Sequence, residues 1–255
     1  MQGPTPATVA DHDLQYHLEA TDVIMAPDGF SRPMQVFNGQ YPGPLIEANW
    51  GDILEITVKN SLKDNGTSVH WHGFRQQGSN EQDGVNGVTE CPIPPGGSKV
   101  YRFQATEYGT SWYHSHHSVQ YGDGLVGTMK INGPTNGNYD VDLGVLPITN
   151  WFHTTAFDLL AQNSFLPPTA QNILVNGSAV FEGKGKYATT TIKPGKKHKL
   201  GIVNSGLDSY FHVSLDGHPF TVVAADFVPI KPYKTESLVL AIGMSLLHTL
   251  HHNPY

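Results

Sequence analysis

The chain has one cysteine and little charge. A single thiol in 255 residues rules out a disulfide framework within the chain. Charged residues make up 15%, and 15 Lys and Arg stand against 22 Asp and Glu, a net charge of −7. No run of Lys or Arg interrupts that balance, so a basic nucleic-acid surface is excluded. No apolar stretch reaches the roughly 18 residues that a membrane helix needs. The opening Met1-Gln-Gly-Pro-Thr-Pro lacks the basic and apolar regions of a secretory signal. As written, the chain is expected to carry no secretion address. Two sequons, at Asn65 and Asn176, point the other way. Long helices are also scarce, because 27 glycines and 18 prolines punctuate the sequence.

What the chain has is strand-like alternation and histidine. Ile53-Leu-Glu-Ile-Thr-Val-Lys, Lys99-Val-Tyr-Arg-Phe, Gly127-Thr-Met-Lys-Ile and Thr189-Thr-Thr-Ile-Lys read as strands, β-branched and close to period two. Asn38-Gly, Pro42-Gly-Pro, Pro94-Pro-Gly-Gly and Pro194-Gly read as turns between strands. Residues 154–163 form the one helical stretch. The expectation is an all-β protein, sandwich or barrel. A faint repeat relates Phe37-Asn-Gly, Val58-Lys-Asn-Ser and Val69-His-Trp-His to Val175-Asn-Gly, Ile202-Val-Asn-Ser and Phe211-His-Val-Ser. Two β-domains, 1–134 and 135–255, explain it, divided at the polar linker Asn132-Gly-Pro-Thr-Asn-Gly-Asn.

Histidine carries the chemistry: there are 14. Val69-His70-Trp71-His72-Gly73 and Trp112-Tyr113-His114-Ser115-His116-His117 each hold a His-X-His pair. Residues two apart on a strand share a face, so His70 and His72 point together, as do His114 and His116. If the strands are close, four imidazoles converge. Neutral imidazoles without thiolate suit copper, zinc, nickel or iron. His117 points to the opposite side. His153, His198, His212 and His218 lack a partner at ligand spacing and read as solvated or hydrogen-bonded.

With Asn49-Trp-Gly-Asp, Asp83-Gly-Val-Asn-Gly-Val-Thr-Glu-Cys-Pro-Ile-Pro-Pro-Gly, Gln120-Tyr-Gly-Asp-Gly-Leu-Val-Gly and Ile131-Asn-Gly-Pro, these motifs resemble the multicopper oxidases. The resemblance is to the N-terminal half of filamentous-fungal laccases, from about Tyr16 to Gly243. It implies tandem cupredoxin-like Greek-key sandwiches, the first complete and the second truncated. It implies copper, with His70 as a type 2 ligand and His72, His114 and His116 as type 3 ligands. It implies oxidation of phenols or aromatic amines with reduction of O2 to water. By the same resemblance Asp83 delivers protons near the cluster, and Asp208 contacts the phenolic substrate. The family is secreted and glycosylated, which suits Asn65 and Asn176.

The resemblance also says what is missing. Four of eight cluster histidines are present; the others, with a type 1 thiolate in a His-Cys-His motif, belong to a third domain. Cys91 has no flanking histidine, and by resemblance it is a disulfide partner of that absent domain. Past Gly243 the family pattern stops, which suggests a frameshift or an alternative transcript. His248, His251 and His252 then read as tail residues. The second sandwich is expected to lose its last strands and expose a sheet edge. The competing function is a non-catalytic copper-binding fragment. Complementation by another chain ranks behind that, and a zinc hydrolase with Asp83 as base behind both.

Overall fold

The computed structural model describes residues 13–162 and 166–251, with the backbone alone at His251. Eight strands build the first half: β1 (Asp13–Met25), β2 (Arg32–Phe37), β3 (Gly43–Asn49), β4 (Ile53–Asn60), β5 (Val69–Trp71), β6 (Ser98–Gln104), β7 (Gly109–Ser115) and β8 (Val126–Asn132). They form two four-stranded sheets, ordered β2-β1-β4-β6 and β3-β8-β7-β5. Alternation drives the packing. Leu54, Ile56 and Val58 of β4 face inward onto Trp71, Tyr101 and Tyr113, while the residues between them are partly or fully exposed. β7 is buried along its whole length and lies between β8 and β5.

The second half holds β9 (Val141–Trp151), a helix α1 (Ala156–Ala161), β10 (Asn172–Val175), β11 (Val180–Phe181), β12 (Lys184–Gly185), β13 (Lys197–Asn204), β14 (Phe211–Ser214), β15 (Phe220–Ala225), β16 (Val228–Thr235), β17 (Ser237–Leu240) and β18 (Ser245–His251). A six-stranded sheet, β10-β9-β13-β18-β15-β16, shares one core with the pair β14–β17. The helix falls inside the predicted 154–163, and Thr155 caps it by accepting from the Asp158 N–H. The repeat is visible in detail. Asn38 and Asn176 both take left-handed φ, 54° and 48°, in equivalent turns. Asn60 and Asn204, buried at the ends of β4 and β13, each accept from the N–H two residues on and donate to two carbonyls.

Two expectations fail. Residues 189–193 form no strand; they are mostly exposed and no neighbouring strand pairs with them. More important, the segment after Gly243 is not a tail. Ser245–His251 is a central strand, antiparallel to both β13 and β15. β18 borders β13 as β6 borders β4, so no raw edge is left at β13 or β15; the sheet ends at β10 and β16. Leu246 and Leu250 are buried, and His248 lies between them, fully buried and edge-on to Phe220 at 4.7 Å. The Leu-rich alternation of Ser-Leu-Leu-His-Thr-Leu-His supplies that strand. The opening hexapeptide, Asn163 and His252 fall outside the described residues.

The two halves interlock. Phe227, from the turn between β15 and β16, enters the first core and meets Phe74 at 4.9 Å. Ser245 Oγ donates to Thr110 O at 2.5 Å, and Trp112 Nε1 donates to Gly243 O at 3.3 Å.

Candidate metal centre

β5 lies at the edge of its sheet and pairs only with β7, placing His70 directly opposite His114. The strand pairing continues past β5, where the His72 N–H donates to Trp112 O at 3.1 Å. The period-two expectation therefore holds. The ring of His70 lies 5.7 Å from His72, 5.4 Å from His114 and 5.6 Å from His116. One nitrogen from each of His70, His72 and His114 falls within 4.8 Å of the others. His116 stands just beyond the end of β7, more exposed, with its ring 6.1 Å from His114. All four line a cavity of about 310 Å³ shared with Trp112, Tyr121 and Gly243. His117 points away and accepts from Asn86 Nδ2 at Nδ1, 3.0 Å.

Second contacts fix the rings. His70 Nδ1 donates to Asp83 O at 2.8 Å, with the Asp83 carboxylate 3.4 Å away. His114 Nδ1 donates to Ser115 O at 2.9 Å. Both bonds put the proton on Nδ1 and leave the Nε2 lone pair for a metal. Burial pushes His114 well below the ordinary imidazole value. It also lowers His70, opposed by the Asp83 carbonyl and charge, and His72, opposed by Asp226. Three neutral imidazoles, two of them oriented by Nδ1 hydrogen bonds, fit a copper ion. Trp112 stacks on His114 at 4.1 Å and forms an apolar wall of the cavity.

Two family models described as multicopper oxidase match residues 19–136 and 142–252. The chain is 51% identical to a laccase of Neurospora crassa and 50% identical to laccase-1 of Melanocarpus albomyces, over 94% of its length. It is also 50% identical to dihydrogeodin oxidase of Aspergillus terreus over 91%. The chain belongs to the multicopper oxidases. It matches the N-terminal part of fungal laccases and spans 39% of the length of the first two of these relatives. The laccase of Botrytis aclada superposes with a TM-score of 0.93 at 45% identity, covering 94% of this chain and 47% of that one. Fet3p, a multicopper oxidase that functions in iron import, superposes at 0.88 with 30% identity, covering 95% and 46%. The match extends through β18, so the multicopper oxidase pattern does not stop at Gly243.

Elsewhere in this oxidase chain, Asp208 is exposed at a separate cavity of about 520 Å³ walled by Phe152, Leu159, Leu160, Pro167 and Leu207. It is an apolar recess with a carboxylate at its rim. Cys91 is free and exposed. Of the four histidines without a partner at ligand spacing, His212 is exposed and the other three are hydrogen-bonded. His153 bonds the buried Asp28 at 2.8 Å, His198 accepts from Lys193 N, and His218 bonds Asp216 O. Sequence reading missed Tyr121, Ile242 and Gly243 as cavity walls: Tyr121 meets His114 from the turn after β7, and Ile242 and Gly243 meet the histidines only through the packing of the two halves.

Proposed function

We propose that this chain supplies half of the trinuclear copper site of a laccase-type oxidase acting on phenols or aromatic amines. The convergence of the His70, His72 and His114 nitrogens within 4.8 Å carries the reading. In it, His70 holds type 2 copper, and His72, His114 and His116 hold type 3 copper. Copper, when bound, supplies the one-electron chemistry that couples substrate oxidation to reduction of O2 to water. The chain's own residues do the rest. The Asp83 carbonyl orients His70, and the Asp83 carboxylate stands 3.4 Å from the same ring, where it relays protons to the cavity. Asp208 accepts the proton that a phenol releases as it is oxidised, with the ring in the apolar recess. We also take 1–134 and 135–255 as two cupredoxin-like units that a third completes, and Asn65 and Asn176 as glycosylated in an exported protein.

A second reading applies to the isolated chain. Its only cysteine has no histidine beside it, so the chain offers no thiolate for electron entry and binds copper without oxidising substrate. One sample decides. Copper stoichiometry, an optical spectrum and oxygen uptake with a phenol are measured on the purified, copper-loaded chain. Copper bound and lost in His114→Ala supports the site; no bound copper sinks it. A band near roughly 600 nm, where Cu–thiolate charge transfer falls, with oxygen uptake discards the second reading.

A further inference from the structure

We infer that Gln120 is a positioning residue that sets where His116 stands, and so joins the two histidine pairs into one site. The inference rests on the copper reading above. Three of the four histidines are held by strand pairing, since His70 and His114 face each other across β5 and β7 and His72 continues that ladder. His116 is not. It follows the last residue of β7, and its backbone is tied by its N–H to Ser68 O at 3.2 Å and by its carbonyl, which accepts from Asn86 Nδ2 at 3.4 Å.

Behind that turn sits a fully buried amide. Gln120 Oε1 accepts from Ser115 Oγ at 2.5 Å and from Thr67 Oγ1 at 2.7 Å. Its Nε2 donates to Gly66 O at 3.2 Å. Ser115 Oγ in turn accepts from the His117 N–H at 3.1 Å, and the Gln120 N–H donates to His117 O. One side chain therefore ties the segment leading into His70 to the turn carrying His116. Ser115, Thr67 and Gln120 are all essentially without solvent contact, so these bonds are not exchanged for water. Ser115 reaches the wall of the metal cavity, whereas Gln120 lies behind it and does not line that cavity. It acts through His116, by fixing the backbone from which that ring projects.

The test is a double-mutant cycle on the full chain with Cu(II) as probe. Affinity comes from calorimetry and the nitrogen hyperfine pattern from electron paramagnetic resonance. His116→Ala and Gln120→Met are each expected to weaken binding at least tenfold and to give the same altered hyperfine pattern. The double variant is expected to bind within threefold of His116→Ala, because removing the tether costs nothing once the ring is gone. A merely structural role predicts the opposite, with losses that multiply and a Gln120→Met spectrum like the parent's; that result overturns the inference. So does parent-like affinity in Gln120→Met. If Gln120→Met fails to fold, Ser115→Ala cuts the strongest bond of the network at a buried small residue and is subject to the same cycle. No Cu(II) binding by the parent, or none lost in His114→Ala, sinks the copper reading instead and the inference with it.

Discussion

Asp83 reaches His70 by two routes, and they separate cleanly by substitution. The ring proton goes to the backbone carbonyl at 2.8 Å, while the carboxylate stands at 3.4 Å. Asp83→Asn keeps the carbonyl, so Cu(II) affinity is expected to change less than about threefold. If Asp83 delivers protons as proposed, that supply is lost with the carboxylate. On the proposed role, once the other half of the copper site and electron entry are supplied, oxygen reduction is expected to fall by about two orders of magnitude, the usual scale for a general acid. Calorimetry and oxygen uptake on the same variant check both halves. An affinity loss as large as that of His70→Ala counts against the carbonyl as the orienting group. At this scale the site was largely legible in the sequence. His-X-His on a strand declares a shared face whatever the partner strand. Gln120 and Tyr121 were not legible, because their roles arise from which turn packs on which, and that is a property of tertiary contact.

β18 shows how an element is misread. Ser-Leu-Leu-His-Thr-Leu-His reads as a tail because it departs from the family pattern past Gly243 and its histidines match neither missing ligand motif. In the sheet the segment is periodic, with Leu246, His248 and Leu250 on one face and Leu247 and Thr249 on the other. Burial of the His248 imidazole between β13 and β15 brings its value down to about 4 from 6.5. The sign follows from proton counting. Between these two values the unfolded chain binds a proton that the folded chain refuses, so stability falls as pH drops from about 6.5 to about 4. The gap between the two values corresponds to roughly 3 kcal/mol. His248→Leu is expected to flatten that acid limb by about one proton per unfolding event and to raise the melting temperature at pH 5. His70, His72 and His114 titrate in the same direction without metal, so part of the limb remains. Thermal melts from pH 7 to pH 4 measure it, and an unchanged slope in the variant places the acid sensitivity elsewhere.

Across the whole molecule, the seam between the halves carries the buried charge. Arg32 of β2 meets Asp123 at 2.8 Å, both almost without solvent, and its guanidinium covers Trp151 of β9 at 4.1 Å. Asp123 also accepts from the Ala156 N–H at the start of α1, at 2.8 Å. One carboxylate therefore joins the turn after the second histidine pair, a strand of the first half and the helix that walls the Asp208 recess. Removing its partner is worse than never having had it. Arg32→Met leaves a buried anion held by a single N–H, and loss of about 3 kcal/mol is expected. Arg32→Met with Asp123→Asn is expected to recover at least half of that. The amide still accepts from Ala156, and no charge remains to desolvate. Lys59→Met, which breaks the exposed pair with Glu19, is the control and is expected to leave the urea midpoint unmoved. If the double variant is no more stable than Arg32→Met, the cost lies in lost packing on Trp151 rather than in an orphaned charge, and the seam is held by shape. If it recovers, the ion pair is a device of register. It gives little net stability, but it penalises any arrangement of the halves that separates Arg32 from Asp123, and in doing so it keeps α1 and the histidine turn at a fixed spacing.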